Sequence, residues 1–522
     1  MFDKKTLVAA FLSFITIFGL QIIFRDWFDG KSGTVEQVHE AGAAYKIPSA
    51  HDLSLPAVKT ISFGDAAAVS VSQEVTVSTP RYEAVFSTYG GTLEALAFPE
   101  YTDANSAPLQ SIYEAATPDQ ASFVLAINDE TPLHYHYEGQ ETLKNGDVTV
   151  TYTARTDEWA IRKTFVLHHE KYLIDLLIEL KAKAAHPNPI RPRLFIGAPH
   201  LPALERDEVS GVILDPAKNT INQVSDSQRA SDAWVLPHMI GVENSYFAHA
   251  LIADKDGFAQ RGYFTSTESS WISAILEGPA ITESASYNLS FFVGPKSLAA
   301  LTAVDARLEG LLNFGWLSWF AKLLLQMLGW LYELCHNYGL AIIALTFILK
   351  LILLPLSLKS AGINEQQQKL QPRIAALRKK YANDTAGFNV EVMRLYQEHG
   401  VSPASFMFGC LLMVPQMLLF FAMYRALGNV IDMYQAPFFG WIIDLSSKDP
   451  YYILPVIAVV AIFFQPMGMV SQKGDKQAMI MRYLLPAVLA TVFVRMPAGL
   501  LLFIVTNVVV TMAEQKLRKF FA

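Results

Sequence analysis

A run of 21 residues, 338–358 (YGLAIIALTFILKLILLPLSL), constrains this chain more than any other stretch. It is nearly all apolar, and it has the length needed to cross a hydrocarbon core about 30 Å thick. Lys350 interrupts it near the middle. At about 1.5 Å of rise per residue, neither end of the run is within easy reach of its ammonium. A cation at that depth costs about 3 kcal/mol on insertion scales unless it meets water or a polar partner. The run leaves two readings, a Lys that stretches toward the nearer headgroups or a hydrated, positively charged cavity inside the membrane. Thr346, one turn earlier on the same face, adds a polar neighbour.

Composition separates two kinds of sequence within the 522 residues. With 52% hydrophobic and only 17% charged residues, the chain reads as part membrane bundle and part soluble domain. A net charge of −7 and no domain-wide basic face exclude bulk nucleic-acid binding. The two cysteines, Cys335 and Cys410, lie in apolar sequence and offer no disulfide framework. A soluble domain of this size must then fold on its hydrophobic core alone.

Residues 1–27 hold Lys4 and Lys5 ahead of an uncharged run that ends in bulky residues, not in a small-x-small cleavage site. They predict an uncleaved membrane anchor with its amino end in the cytoplasm. Residues 28–60, rich in Gly, Ala, Ser and Pro, predict a flexible linker. From 61 to 300, segments such as DVTVTYTA (147–154) and SASYNLSFFVG (284–294) alternate apolar and polar residues between turn pairs such as Asn145-Gly146. This pattern predicts a large antiparallel β-sandwich. His134 and His136 share a strand face there, and His168, His169 and Glu170 cluster. No third and fourth ligand stands at a recognisable spacing, so the expectation is no metal and no cofactor. No GxSxG or phosphate-binding glycine loop occurs, and no enzyme is expected.

Residues 308–336 predict an amphipathic helix lying in the membrane interface. Ser318, Lys322, Gln326, Gly329 and Glu333 form one stripe, opposite Trp319, Leu323, Met327, Trp330 and Leu334. After the charged span, residues 359–400 carry seven Lys or Arg against four acids, with Leu370, Ile374, Leu377 and Tyr381 at 4-3-4 spacing. They predict a basic cytoplasmic helical hairpin whose cations include Lys369, Arg373, Arg378, Lys379 and Lys380. Further spans are expected at 404–427, 451–470, 478–495 and 497–515, with an external loop at 428–450 and a short cytoplasmic tail at 516–522. The total is six transmembrane helices, with both termini in the cytoplasm.

This layout resembles the Gram-negative type of the YidC membrane protein insertases, within the YidC/Oxa/Alb family. LTFILKLILLPLSLKS (345–360), LQPRIAALRKKY (370–381), APFFGWIIDLSSKDPYYILP (436–455) and MPAGLLLFIVTN (496–507) carry the likeness, with a weaker match in FSTYGGTLEALAFPEY (86–101). The resemblance implies a five-helix core that inserts and helps fold newly made inner-membrane proteins. Its groove would be amphiphilic, open to the cytoplasm and to lipid and closed outside, with the β domain in the periplasm. Lys350 stands where the family usually has Arg, which keeps the charge but loses the planar fork. Cys410, Gln416 and Met417, together with Phe503, Thr506 and Asn507, match groove positions, and Lys350 and Thr346 complete the set. Implied partners are nascent membrane proteins and membrane lipids, with a Sec translocon and a ribosome alongside. The alternative is a transporter or lipid scramblase with an anionic-solute site at Lys350. No inverted-repeat pairing of spans supports it.

Overall fold

The computed structural model describes residues 72–102, 108–112, 121–127, 132–183, 188–199, 209–215, 220–224, 233–266, 272–312, 314, 318–381, 384–399, 413–428, 431–464 and 488–521. The expected anchor at 1–27, the linker at 28–60, and the stretches 404–412 (with Cys410), 465–470 and 478–487 of three expected spans lie outside these residues.

Alternation with a period of two marks several of the strands before Pro295, while others, such as Pro192–Gly197 and Ile272–Glu277, are buried on both faces. In Val148–Arg155 every second residue, from Val148 to Ala154, is buried. Trp159–Leu167 follows the same rule. Among the described residues the strands form three antiparallel sheets of four, five and nine strands. The middle of the largest sheet pairs Trp159–Leu167 with Leu173–Ala182, and that strand with Ala285–Pro295. The four-stranded sheet packs on it through Phe86 against Phe165 and Phe98 stacked on Phe247, ring centroids 4.8 and 5.0 Å apart. The five-stranded sheet approaches it closely where side chains are absent. A Cβ at Gly211 would overlap the Phe264 ring, and one at Gly262 would overlap Ile240.

One inward position on Trp159–Leu167 is not apolar. Lys163 is completely buried, and its Nζ donates to the carbonyls of Gly90 (2.9 Å), Gly91 (2.5 Å) and Phe123 (2.6 Å). All three acceptor residues have positive φ, at 72°, 53° and 68°. The lysine thus ties together turns whose carbonyls point inward. Burial pushes its pKa well below the ordinary value. Three carbonyls match the three N–H donors of an ammonium, whereas a neutral amine has only two.

On the surface of the same sheet, the histidines form a hydrogen-bonded network with carboxylates. Both ring nitrogens of His168 lie 3.0 Å from a carboxylate, Nδ1 from Asp147 and Nε2 from Asp175, and His169 Nδ1 also reaches Asp147. Only an imidazolium can donate to both sides, and the hydrogen bond to Asp175 leads in raising the His168 pKa. Burial alone would raise both carboxyl groups. Hydrogen bonds from His169 to Asp147 and from His168 to Asp175 outweigh it and hold both below their usual range. The His168 contribution is therefore fully present below its ordinary 6.5 and fades as pH rises through the elevated value. The carboxylate contributions are present above the ordinary 3.8 and fade as pH falls. Thermal unfolding of the full chain should give the highest β-domain midpoint between those two values, and His168→Gln should remove the decline on the alkaline side.

Beyond the sheets, α1 (Leu298–Val304) leads through a short 3₁₀ turn to α2 (Ser318–Cys335). The helix α2 has two apolar faces. Ala321, Leu324, Leu325, Leu328 and Leu331 pack inward, while Trp319 and Trp330 stay 71% and 60% exposed. Next, α3 (Tyr338–Lys380) begins at Asn337, whose side chain caps it by accepting from Leu340 N–H. A boundary is expected at 358, but the helix continues unbroken into the basic segment. Pro355 interrupts one backbone hydrogen bond and Gly362 follows, but neither ends the helix. Then come α4 (Thr385–Glu398), α5 (Met413–Gly428), α6 (Ile453–Phe464) and α7 (Ala498–Phe521). The start of α7 is held by the connector between α5 and α6: Ala498 N–H donates to Ser447 O and Gly499 N–H to Leu445 O. The β domain meets this connector where Tyr246 lies against Tyr434. Among the described residues, Tyr338–Pro355 and Ala498–Leu517 are long and apolar enough to cross a membrane, while Met417–Leu427 and Ile453–Phe464 are shorter apolar helices.

Candidate functional site

The seam between α3 and α7 brings polar side chains together inside the apolar bundle. Lys350 is half-buried, and its Nζ donates to Thr511 Oγ1 at 2.9 Å. The Thr511 hydroxyl in turn donates to Asn507 O at 2.7 Å, one turn back on α7. A Thr hydroxyl has one donor and spare acceptor capacity, so it can satisfy its own helix and receive the ammonium together. Asn507 Oδ1 is buried with no hydrogen-bond partner among the described residues. Thr506 is half-buried and spends its hydroxyl on Leu502 O.

The expected neighbour of Lys350 lies elsewhere. Thr346 is 1% exposed and its hydroxyl donates to Ile342 O at 2.7 Å, while the Lys350 ammonium goes across to Thr511 instead. Phe503 is fully buried in the core, whereas Met417 on α5 is 54% exposed. Gln416 lies on α5, and Cys410 falls outside the described residues. Of the basic segment, Lys369, Arg373, Arg378 and Lys380 are exposed along the extension of α3, where Lys379 also lies. Arg373 Nη1 meets His399 Nε2 at 2.7 Å, which joins the end of α4 back to α3.

Sequence reasoning missed three members of the seam, namely Ser357, Thr511 and Glu514. Ser357 Oγ is 3.5 Å from Glu514 Oε2. Their spacing was readable in part, because Ser357 follows Lys350 by seven residues and Thr511 follows Asn507 by four, each on one helical face. That the two faces meet could not be read. Among the described residues, no group of three His, Cys, Asp or Glu side chains could hold a metal ion.

Residues 74–327 match the family model described as the YidC periplasmic domain, and residues 330–520 match the 60Kd inner membrane protein. A membrane protein insertase YidC from Geobacter metallireducens is 31% identical, with 98% of this chain and 97% of that protein covered. The chain belongs to the YidC membrane protein insertase family. A second YidC insertase, from Syntrophus aciditrophicus, is 32% identical, with 98% of each chain covered. Among solved structures, an active YidC insertase with its first transmembrane domain resolved is similar at 20% identity and a TM-score of 0.39, covering 86% of this chain and 93% of that one. In this YidC relative the two family matches meet inside α2. That helix carries the chain from the periplasmic-domain match into the inner-membrane match.

Proposed function

We propose that this chain inserts newly made proteins into the inner membrane through a hydrated groove lined by α3 and α7. The groove is open to the cytoplasm and to lipid. The observation that carries this reading is the half-buried ammonium of Lys350, held by a hydroxyl from another helix in otherwise apolar sequence. Polar flanks of an incoming chain lose water when they enter hydrocarbon, and a wet half-channel with a cation supplies them with partners. The apolar helix of the substrate then leaves sideways into lipid, and that partition drives insertion.

Six spans place both termini in the cytoplasm and the β domain in the periplasm. The anchor and the stretches 338–358, 404–427, 451–470, 478–495 and 497–515 supply them. In this arrangement α2 lies in the outer interface, its inner face on the protein and its exposed Trp319 and Trp330 in the headgroup layer. The exposed cations of the α3 extension face the cytoplasm, where a ribosome or a Sec-type translocon can approach.

Reconstitution tests the reading. Liposomes that contain only the purified chain should insert a small single-span membrane protein, detected as a protease-protected fragment. Passage of an anionic solute or lipid without any protected fragment would favour a transporter or scramblase instead.

A further inference from the structure

Glu514 lies one helical turn past Thr511 on α7 and shares its face. Ser357 lies two turns past Lys350 on α3, and the Ser357 hydroxyl sits 3.5 Å from the Glu514 carboxylate. The α3–α7 seam therefore has two polar rungs, an ammonium on Thr511 and a carboxylate beside Ser357. Between them Pro355 leaves the carbonyl of Leu351 without its helical N–H. Lys350 and Glu514 are both half-buried. Even so, among the described residues neither forms an ion pair within 4.0 Å. Lys350 is held by the Thr511 hydroxyl, while Ser357 donates its hydroxyl to Leu354 O at 2.9 Å and only approaches the Glu514 carboxylate, so the two opposite charges stay apart along the seam.

We propose that Lys350 and Glu514 together form a bipolar receptor for substrate segments that carry an acidic residue and, about one turn toward the cytoplasm, a basic one. This rests on the insertase reading above. Seven residues of α3, a rise of about 10.5 Å, separate Lys350 from Ser357, but only three of α7, about 4.5 Å, separate Glu514 from the Thr511 that receives the ammonium, and this α7 spacing matches acid and base at i and i+3 or i+4 of a helical segment. With the carboxyl end of α7 in the cytoplasm, Glu514 is the rung on the cytoplasmic side. It therefore meets the basic flank that a membrane protein leaves inside. A like charge at either rung is rejected, so Glu514 is a specificity-determining residue and not a second general attractant.

The experiment compares the full chain with Glu514→Gln and Glu514→Lys in liposomes. Three single-span substrates keep one acidic residue and carry Lys, Gln or Glu one turn toward the cytoplasm. The wild-type chain should rank them Lys above Gln above Glu, with about fivefold between the extremes. Glu514→Gln should level the ranking, and Glu514→Lys should invert it. If the wild-type order persists in both variants, or both lose all three substrates equally, Glu514 has no selective role and the inference is overturned. A wild-type chain that inserts none of the three overturns the insertase reading itself.

Discussion

Replacing Lys350 by Ala lowers insertion of a single-span protein with an acidic external tail about tenfold, while Lys350→Arg keeps it near the wild-type level. The ammonium is the charge that the 338–358 run places deep in the bundle, and its observed partner, Thr511, is neutral. Loss of one charge-assisted contact to a poorly hydrated carboxylate corresponds to roughly 1.5–3 kcal/mol, which is at least a factor of ten. Arg preserves the charge and adds a planar fork, so it holds a carboxylate at least as well. A substrate with an uncharged tail should lose much less, which separates attraction from a general packing defect. Protease protection in liposomes measures all three variants. Equal insertion of the acidic substrate by each of them would remove the charge from the mechanism.

The second large effect is on stability and lies far from the seam. Lys163→Met keeps most of the side-chain volume but strips the partner from three buried carbonyls, those of Gly90, Gly91 and Phe123. Unsatisfied buried polar groups cost about 1–3 kcal/mol each, and partial relaxation leaves an expected loss of about 3–5 kcal/mol. The ammonium also lies over the rings of Tyr135 and Phe165, at 5.3 and 5.4 Å from their centroids, and that attraction is lost as well. For a domain of this size the unfolding midpoint should fall by roughly 10 °C. Thr164→Met, on the outward side of the same strand, should barely change it. A Lys163→Met midpoint within a degree or two of wild type would mean that the turns hold themselves.

These residues also show which conclusions were open to sequence reasoning. The period-two alternation of 148–154 and 159–167 reports burial directly, because successive strand residues point to opposite faces. It marks Lys163 as anomalous, a charged residue in an inward slot between Ile161 and Phe165. What it cannot supply are the partners, since the Gly90 carbonyl is 73 residues away in the chain. Similarly, the stripes on α2 show an amphipathic helix, but the row from Ala321 to Leu331 packs inward only because neighbouring helices come to cover it.

By itself the sequence determined the two-part organisation of the chain, the β character of its first part, and the presence of a cation within an apolar run. It also determined the family, through motifs spread along the whole length. Each of these follows from local composition, periodicity or short-range pattern. The tertiary structure alone decided what surrounds the cation. Thr511, 161 residues from Lys350, receives the ammonium, while Thr346 on the same helix turns its hydroxyl to its own backbone. Helical spacing settles which residues share a face. Which face of a distant helix meets it is set by the packing of the whole bundle, and no local pattern encodes that.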